Sequence, residues 1–161
     1  MNLRVPVIDA EQRPSPVLPG SADGRAMKLC NEAITVFNAK LDAETDKDEY
    51  IGTVIDGASW YCEIVSAVDE GLRAANKFTI RIPAAADFGG KAYTNPMAYA
   101  EADDVSELFT LANGDIIVRG AVTAEGLRPK DIHDRYEAFT ILGVTDNRRA
   151  PNAPHWKVVG S

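Results

Sequence analysis

Alternation of apolar and polar residues predicts a chain built mainly from β-strands. The clearest case is residues 77–83, KFTIRIP, where Phe78, Ile80 and Ile82 fall on one face and Arg81 falls on the other. A period of two is typical of a strand that buries one face and exposes the other. This segment therefore predicts a half-buried strand.

Six further segments are rich in the β-branched and aromatic residues that strands favour. They are ITVF (34–37), YIGTVIDG (50–57), SWYCEIVS (59–66), ANGDIIVRG (112–120), FTILGVTD (139–146) and HWKVVG (155–160). A glycine-containing bend between the second and third predicts a meander, and the Asn-Gly pair at 113–114 predicts a tight turn before IIV. We therefore expect a mainly β fold, a small antiparallel barrel or sandwich of about seven strands.

Residues 84–97 interrupt this strand pattern and predict a long loop. They contain Gly89 and Gly90, with aromatic residues on either side. Long loops in compact domains are usually functional or mobile. Lys91 follows the two glycines, but the preceding glycine and following helix of a phosphate-binding loop are missing. We expect the glycine pair to give flexibility at the loop tip.

Residues 129–139, PKDIHDRYEAF, predict one short helix that covers one end of the sheet. Pro129 suits the first helical position, where its missing N–H costs nothing. Ile132, Tyr136 and Phe139 follow at i, i+4 and i+7, the spacing of a buried helix face.

The domain organisation follows from length and proline content. With 161 residues the chain is expected to form one domain. Residues 1–26 hold four of the nine prolines and predict an extended or disordered N-terminal arm. Residues 27–161 are then the β-barrel domain.

The composition bears on compartment and partners. A net charge of −7 argues against tight, sequence-independent binding of nucleic acid, and no apolar run is long enough to span a bilayer, so we expect no membrane contact. The N-terminus lacks the pattern of a secretory signal. Cys30 and Cys62 are too few for a disulfide scaffold and are expected to be reduced, packed side chains in a reducing cytoplasm.

Candidate catalytic and metal-binding patterns are weak. The acidic segment LDAETDKDE, 41–49, lacks the glycine of a calcium loop and predicts a solvated hairpin tip. His133 and His155 have no metal-ligand spacing, and no nucleophile motif occurs. We therefore expect no catalytic residue, metal or cofactor and no enzymatic activity. A hydrolase or nuclease stays as an alternative that a metal-dependent nuclease assay would test.

The end of the chain, TDNRRAPNAPHWKVVGS (145–161), carries unusual side-chain variety. Its strand pattern places Trp156 on one face, packed in the core or on a flanking element, and His155 on the other. Arg148 and Arg149 can pair with carboxylates of this chain or of a neighbour. We predict a structural lock at a subunit interface formed by Arg148, Arg149, His155 and Trp156, with an ordinary solvated turn as the alternative.

The order of these segments resembles a family of small tailed-bacteriophage and prophage proteins encoded in the head–tail morphogenesis region of phages of Gram-positive hosts. The resemblance covers residues 33–161, and its most specific pieces are GDIIVRG and TDNRRAPNAPHWKVVG. It implies a structural virion protein assembled in the bacterial cytoplasm, a head-closure or connector component that forms a ring, commonly a dodecamer, at the neck. Portal or adaptor and tail proteins would be its partners.

The same resemblance implies a role for the long loop. In such rings a loop from each copy projects into the channel and retains packaged DNA without sequence-specific binding. The matching contact loop here contains Asp87, Phe88, Gly89, Gly90, Lys91 and Tyr93. Removal of residues 85–95 would then leave a folded subunit. A minor capsid, tail-completion or tail-associated protein is the alternative, because small barrels recur in all these roles.

Overall fold

The structure, a computed structural model, describes residues 30–67 and 73–161, which contain eight strands and two short helices. In chain order these are β1 Glu32–Asp42, β2 Lys47–Ala67, β3 Arg73–Pro83, β4 Ala92–Tyr93, α1 Pro96–Glu101, β5 Leu108–Phe109, β6 Ile116–Arg119, α2 Pro129–Arg135, β7 Ala138–Asn147 and β8 His155–Gly160. The N-terminal arm predicted for residues 1–26 lies outside the described residues.

Six of the strands close into an antiparallel barrel in the order β1-β2-β3-β8-β7-β6. The prediction of a mainly β, antiparallel barrel is confirmed. The expected seven strands become eight, because the predicted meander pair is one strand and β4 and β5 form a separate parallel pair. Those two strands have two residues each, too few to show a period-two pattern.

The bend predicted between residues 57 and 59 does not end a strand. β2 runs continuously through it, and Gly57 adopts a positive φ of 98° where the register with β1 shifts. A β-bulge re-aims a strand without breaking it, and glycine accepts the left-handed backbone that this requires. The prediction of two separate strands was therefore wrong.

Inward-facing residues of the strands form the main core. On β3, Phe78, Ile80 and Ile82 are buried and Arg81 is exposed, so the predicted alternation is confirmed. Trp156 and Val158 of β8 are buried as their pattern predicted. The barrel interior is therefore filled by side chains.

A second hydrophobic cluster lies on the outer face of β1 and β6. It contains Phe37, Ile116, Val118, Val122, Leu127 and Ile132. Because Ile132 belongs to α2, that helix covers the outside of the barrel. Pro129 begins α2 as predicted, but the helix ends at Arg135, and Phe139 belongs to β7 and the main core.

The acidic segment 41–49 is the β1–β2 hairpin tip, as predicted. The Asp42 carboxylate accepts hydrogen bonds from the Glu44 N–H (3.0 Å) and the Thr45 hydroxyl (2.9 Å). These bonds close the turn while the side chains around it stay in solvent.

One end of the β2–β3 hairpin extends beyond the barrel. Residues 59–67 of β2 pair only with β3, and residues 73–77 of β3 pair only with β2. We call the paired residues 63–67 and 73–77 the β2–β3 arm. Ile64 in this arm is 71 % exposed, and Cys62 just before it is also exposed, which corrects the prediction that Cys62 is packed.

Candidate functional site

Four aromatic side chains from distant parts of the sequence meet beside the β7–β8 turn. Tyr93 of β4 lies 4.8 Å from Trp156 of β8 between ring centroids, and Phe88 lies 4.9 Å from Phe109 of β5. Phe88 and Phe109 also contact Trp156, with centroids 6.0 and 6.4 Å apart. We call these four residues the aromatic cluster. It joins the predicted contact loop to the predicted terminal lock, two features that sequence reasoning had kept apart.

Arg148 covers this cluster from the solvent side. Its guanidinium lies 4.8 Å from the Tyr93 ring and 4.9 Å from the Trp156 ring. It also donates two hydrogen bonds to the Asp146 carboxylate, Nε to Oδ1 at 2.9 Å and Nη2 to Oδ2 at 2.8 Å. The planar fork of arginine suits both contacts at once. Arg148 thus completes a lock within its own chain.

The ion pair between Arg148 and Asp146 shifts the pKa of the carboxyl group. Hydrogen bonds from the Arg148 side chain and from its backbone N–H lower the pKa of Asp146 to about 2. The two side chains are 43 % and 48 % exposed, so solvent weakens their attraction. Because the fork of Arg148 already binds Asp146, Arg149, which is exposed, is the arginine with the freer side chain for a neighbouring subunit.

His155 fixes the connection between β7 and β8. Its Nδ1–H donates to the Ala153 carbonyl at 2.8 Å, which leaves Nε2 of the neutral ring as the acceptor facing Asn147 Nδ2 at 3.3 Å. Ala153 has a positive φ of 54°, a strained conformation for a non-glycine residue. His155 therefore acts within the turn, and its contact with another subunit stays a prediction.

Trp156 is 2 % exposed and packs in the core, as its strand position predicted. A side chain buried this deeply packs beneath the surface residues, here Arg148, and supports their positions. Its direct contact with a neighbouring subunit, like that of Arg149, stays a prediction.

The predicted contact loop is attached to the barrel along its length. Asp56 of β2 and Asp87 exchange two backbone hydrogen bonds of 2.9 and 3.1 Å. The Lys91 ammonium donates to the Gly52 carbonyl at 3.1 Å and to the Thr53 hydroxyl at 3.0 Å, and burial lowers the pKa of Lys91. These contacts cover the edge of β2 before Ser59, in the part of the strand that does not pair with β3.

The long loop predicted over residues 84–97 is confirmed for residues 84–91 and is shorter than expected. Strand β4 and the start of helix α1 lie inside that range, and Phe88 and Tyr93 pack on the core. Asp87, Gly89 and Gly90 form the exposed tip, and both glycines have positive φ. Deleting residues 85–95 would remove core side chains, so we now expect that change to unfold the subunit.

A comparison with protein families matches residues 29–161, which include the whole barrel and the aromatic cluster, to a family described as "Family of unknown function (DUF6751)". The chain belongs to this family. No curated protein and no solved structure matches it. The family match covers β1 through β8, so the lock and the attached loop both lie within the part that defines membership.

An open cleft of about 890 Å³ lies on the wall of this family member formed by β1 and the first half of β2. The end of α1, the residues after it and the loop at 122–126 complete its lining. Six carboxylates line it, from Asp42, Glu49, Glu101, Asp103, Asp104 and Glu125, against the ammonium groups of Lys40 and Lys91. We call it the acidic cleft. Sequence reasoning missed it because its carboxylates come from three separated segments.

A buried polar network links β1 to the start of β6. The Asp115 carboxylate accepts hydrogen bonds from Asn38 Nδ2 (2.8 Å) and from the backbone N–H groups of Ala39 and Ala112 (3.1 Å each). Asn38 also donates to the Thr110 carbonyl at 2.7 Å. The only local signal for this network is that Asp115 directly follows the predicted Asn-Gly turn.

Within residues 30–67 and 73–161, no three His, Cys, Asp or Glu side chains are arranged to hold a metal ion. No helix in the same part of the chain is long and apolar enough to cross a bilayer.

His133 lies on α2, where its Nε2 is 3.3 Å from the Thr140 hydroxyl.

Replacing Arg148 by alanine is expected to lower the free energy of unfolding by about 1 kcal/mol at neutral pH, through loss of a half-exposed ion pair and two cation–π contacts. The pKa of Asp146 is lowered from 3.8 to about 2, so the pair stabilises the fold fully above pH 3.8 and loses this effect as pH falls towards 2. The difference between wild type and variant should therefore shrink in acid. Urea unfolding at several pH values measures it.

Arg149→Ala is the matched control for that measurement. Arg149 is exposed and makes no side-chain hydrogen bond to a described residue, so its loss should change stability by less than about 0.5 kcal/mol at any pH. Equal effects of the two substitutions, or a pH-independent effect of Arg148→Ala, would contradict the lock.

Proposed function

We propose that this protein is a structural subunit of a tailed-bacteriophage particle, a head-closure or connector component that forms a ring at the neck. The resemblance of residues 33–161 to head–tail morphogenesis proteins supports this role. Its most specific segments, GDIIVRG and TDNRRAPNAPHWKVVG, form β6 with its flanks and the β7–β8 hairpin with the lock. A barrel that is filled with side chains and closed by the Arg148–Asp146 lock suits a structural subunit, whose function depends on its shape.

The observation that carries this proposal is the β2–β3 arm. The outer edges of its two strands have no pairing partner among the described residues, and Ile64 is 71 % exposed. Unpaired strand edges and exposed apolar side chains favour addition of another chain. The arm is therefore the element that contacts adjoining portal, adaptor or tail proteins.

The tip of the attached loop faces the channel in this proposal. Asp87, Gly89 and Gly90 are exposed there, while Phe88 holds the loop to the core. A chain with a net charge of −7 repels phosphate and lets packaged DNA pass without specific binding. The protein would be assembled in the host cytoplasm and remain in the virion.

The test combines native mass spectrometry and negative-stain imaging of the purified chain, alone and with portal-bearing heads. We expect a closed ring that binds heads. Ile64→Asp should leave the ring intact and weaken head binding about tenfold, because a charge replaces the apolar contact of the arm. Met97→Asp, on α1 and 74 % exposed, is the matched control and should bind heads normally.

Three outcomes would contradict the proposal. These are a chain that stays monomeric, rings that never bind heads, and equal head binding by both aspartate variants. Binding to isolated tails instead of heads would favour the tail-completion alternative, which uses the same kind of barrel.

A further inference from the structure

Two basic side chains lie directly opposite each other on the outer wall of the barrel. Arg81 of β3 pairs in register with Lys157 of β8, and both point outward because their strand neighbours Ile80 and Trp156 are buried. Like charges in such a cross-strand pair destabilise the sheet. Neither side chain forms an ion pair or hydrogen bond with a described residue. The arrangement has an electrostatic cost that a bound anionic surface would relieve.

Apolar residues continue this surface across neighbouring strands. Tyr61 of β2 is 56 % exposed and Leu142 of β7 is 60 % exposed, and Val159 of β8 lies half-buried between them. Arg81, Lys157, Tyr61, Leu142 and Val159 together are called the basic face. It combines the exposed apolar area and the unmatched charge that are typical of a docking surface.

The acidic cleft has the complementary character. Its two ammonium groups already donate to carbonyl groups, Lys40 to Tyr99 and Ala100 at 3.0 and 2.6 Å and Lys91 to Gly52 at 3.1 Å. The lining side chains carry a net charge of −4, and Leu41, 59 % exposed, adds an apolar contact. The cleft therefore offers carboxylates and an apolar side chain to a partner that carries the reverse charge.

These two surfaces lie on different walls of the barrel. The cleft is built on β1 and the first half of β2, and the two basic side chains of the other surface lie on β3 and β8. In the closed order β1-β2-β3-β8-β7-β6, β8 is three strands from β1 in either direction, and β3 lies between β8 and β2. Complementary patches at two different places on one subunit are what a head-to-tail contact between identical copies requires.

We propose that the basic face of one copy docks in the acidic cleft of the next copy, so that repetition joins copies head to tail. This inference rests on the proposed ring and names the surfaces that form it. The whole chain carries a net charge of −7, so copies repel one another at long range and local complementarity must provide the attraction.

The test is a charge exchange. Arg81→Glu with Lys157→Glu makes the basic face acidic. Glu101→Lys, Asp103→Lys and Glu125→Lys together change the net charge of the cleft lining from −4 to +2. Each of these two variants should raise the concentration needed for assembly at least about tenfold, because attraction becomes repulsion at the interface. An equimolar mixture of the two, or one chain carrying all five changes, should assemble again. Sedimentation velocity and native mass spectrometry measure the size distribution.

Lys130→Glu with Arg135→Glu is the matched control. It makes the same change of net charge on α2, where Lys130 forms only an exposed pair with Asp134, and should assemble like wild type. An effect of this control as large as that of the face variant would mean that net charge alone acts, which overturns the inference.

The other outcomes separate this inference from the proposed function. Rings that form regardless of either charge reversal, or reversals that the mixture does not rescue, overturn the cleft-and-face contact and leave the ring proposal standing. Charge-sensitive open chains that never close support the contact and overturn the ring. A wild-type chain that stays monomeric overturns both.

Discussion

Trp156→Ala is expected to lower the free energy of unfolding by about 4 kcal/mol, the largest effect of any single change considered for this fold. The indole is 2 % exposed and contacts Tyr93, Phe88 and Phe109, so its loss leaves a cavity that three rings line. Arg148 also loses one of its two π surfaces. Urea unfolding followed by far-ultraviolet circular dichroism measures the change, since tryptophan fluorescence itself is altered.

Trp156→Phe is the control for this prediction. It keeps an aromatic ring in the cluster and should cost less than half as much, because most of the apolar area stays buried. A loss below about 1.5 kcal/mol for Trp156→Ala would mean that the neighbouring rings collapse into the space. The lock would then not depend on the indole.

Asp115→Ala is expected to cost about 3 kcal/mol, because it removes a buried acceptor from three donors. The N–H groups of Ala39 and Ala112 would lose this partner, whereas Asn38 would keep its bond to the Thr110 carbonyl. Replacement by a smaller apolar residue thus leaves buried polar groups unsatisfied at the junction of β1 and β6. The same unfolding measurement applies.

The effect of Asp115→Ala should also depend on pH. Burial raises the pKa of Asp115 above its ordinary 3.8, although its three hydrogen bonds oppose the rise. A raised carboxyl pKa means that the group contributes most below pH 3.8 and less as pH rises through the higher folded value. The difference between wild type and variant should therefore be larger near about pH 4 than near about pH 7.

Asp103→Ala provides the comparison for Asp115. Asp103 is an exposed carboxylate of the cleft with no hydrogen bond to a described residue, and its loss should change stability by less than about 0.5 kcal/mol. If Asp115→Ala costs no more than this, the network does not hold β1 to β6 as described. A cost that grows from acid to neutral pH would instead mean that the three hydrogen bonds outweigh burial and lower the pKa of Asp115.

The strand pattern predicted more of the fold than of the site. Alternation identified β3 and β8 and the buried side of each, because the period of side chains along a strand is a local property. It missed β4 and β5, which are too short for a period to be seen and which form only where the chain folds back on the barrel. It also split β2 at Gly57, because a bulge and a turn both favour glycine.

The candidate site, like the fold, could be predicted from the sequence only in part. The sequence placed Trp156 in the core or on a flanking element and identified Arg148 and the loop residues as candidates, but it left the partner of the arginine open. The choice of Asp146, two residues away, together with the Tyr93 ring, depends on β4 lying beside β8. No local pattern specifies that approach, because 54 residues lie between Tyr93 and Arg148.

Local chemistry along the chain was sufficient to specify strands, the hairpin tip, the start of α2 and the mainly β class. The remaining features depend on barrel closure, namely the attached loop, the aromatic cluster, the buried Asp115 and the separate placement of a basic face and an acidic cleft. The physical reason is that side-chain alternation and turn propensity act over a few residues. Contacts between distant segments exist only after six strands have met around a common core.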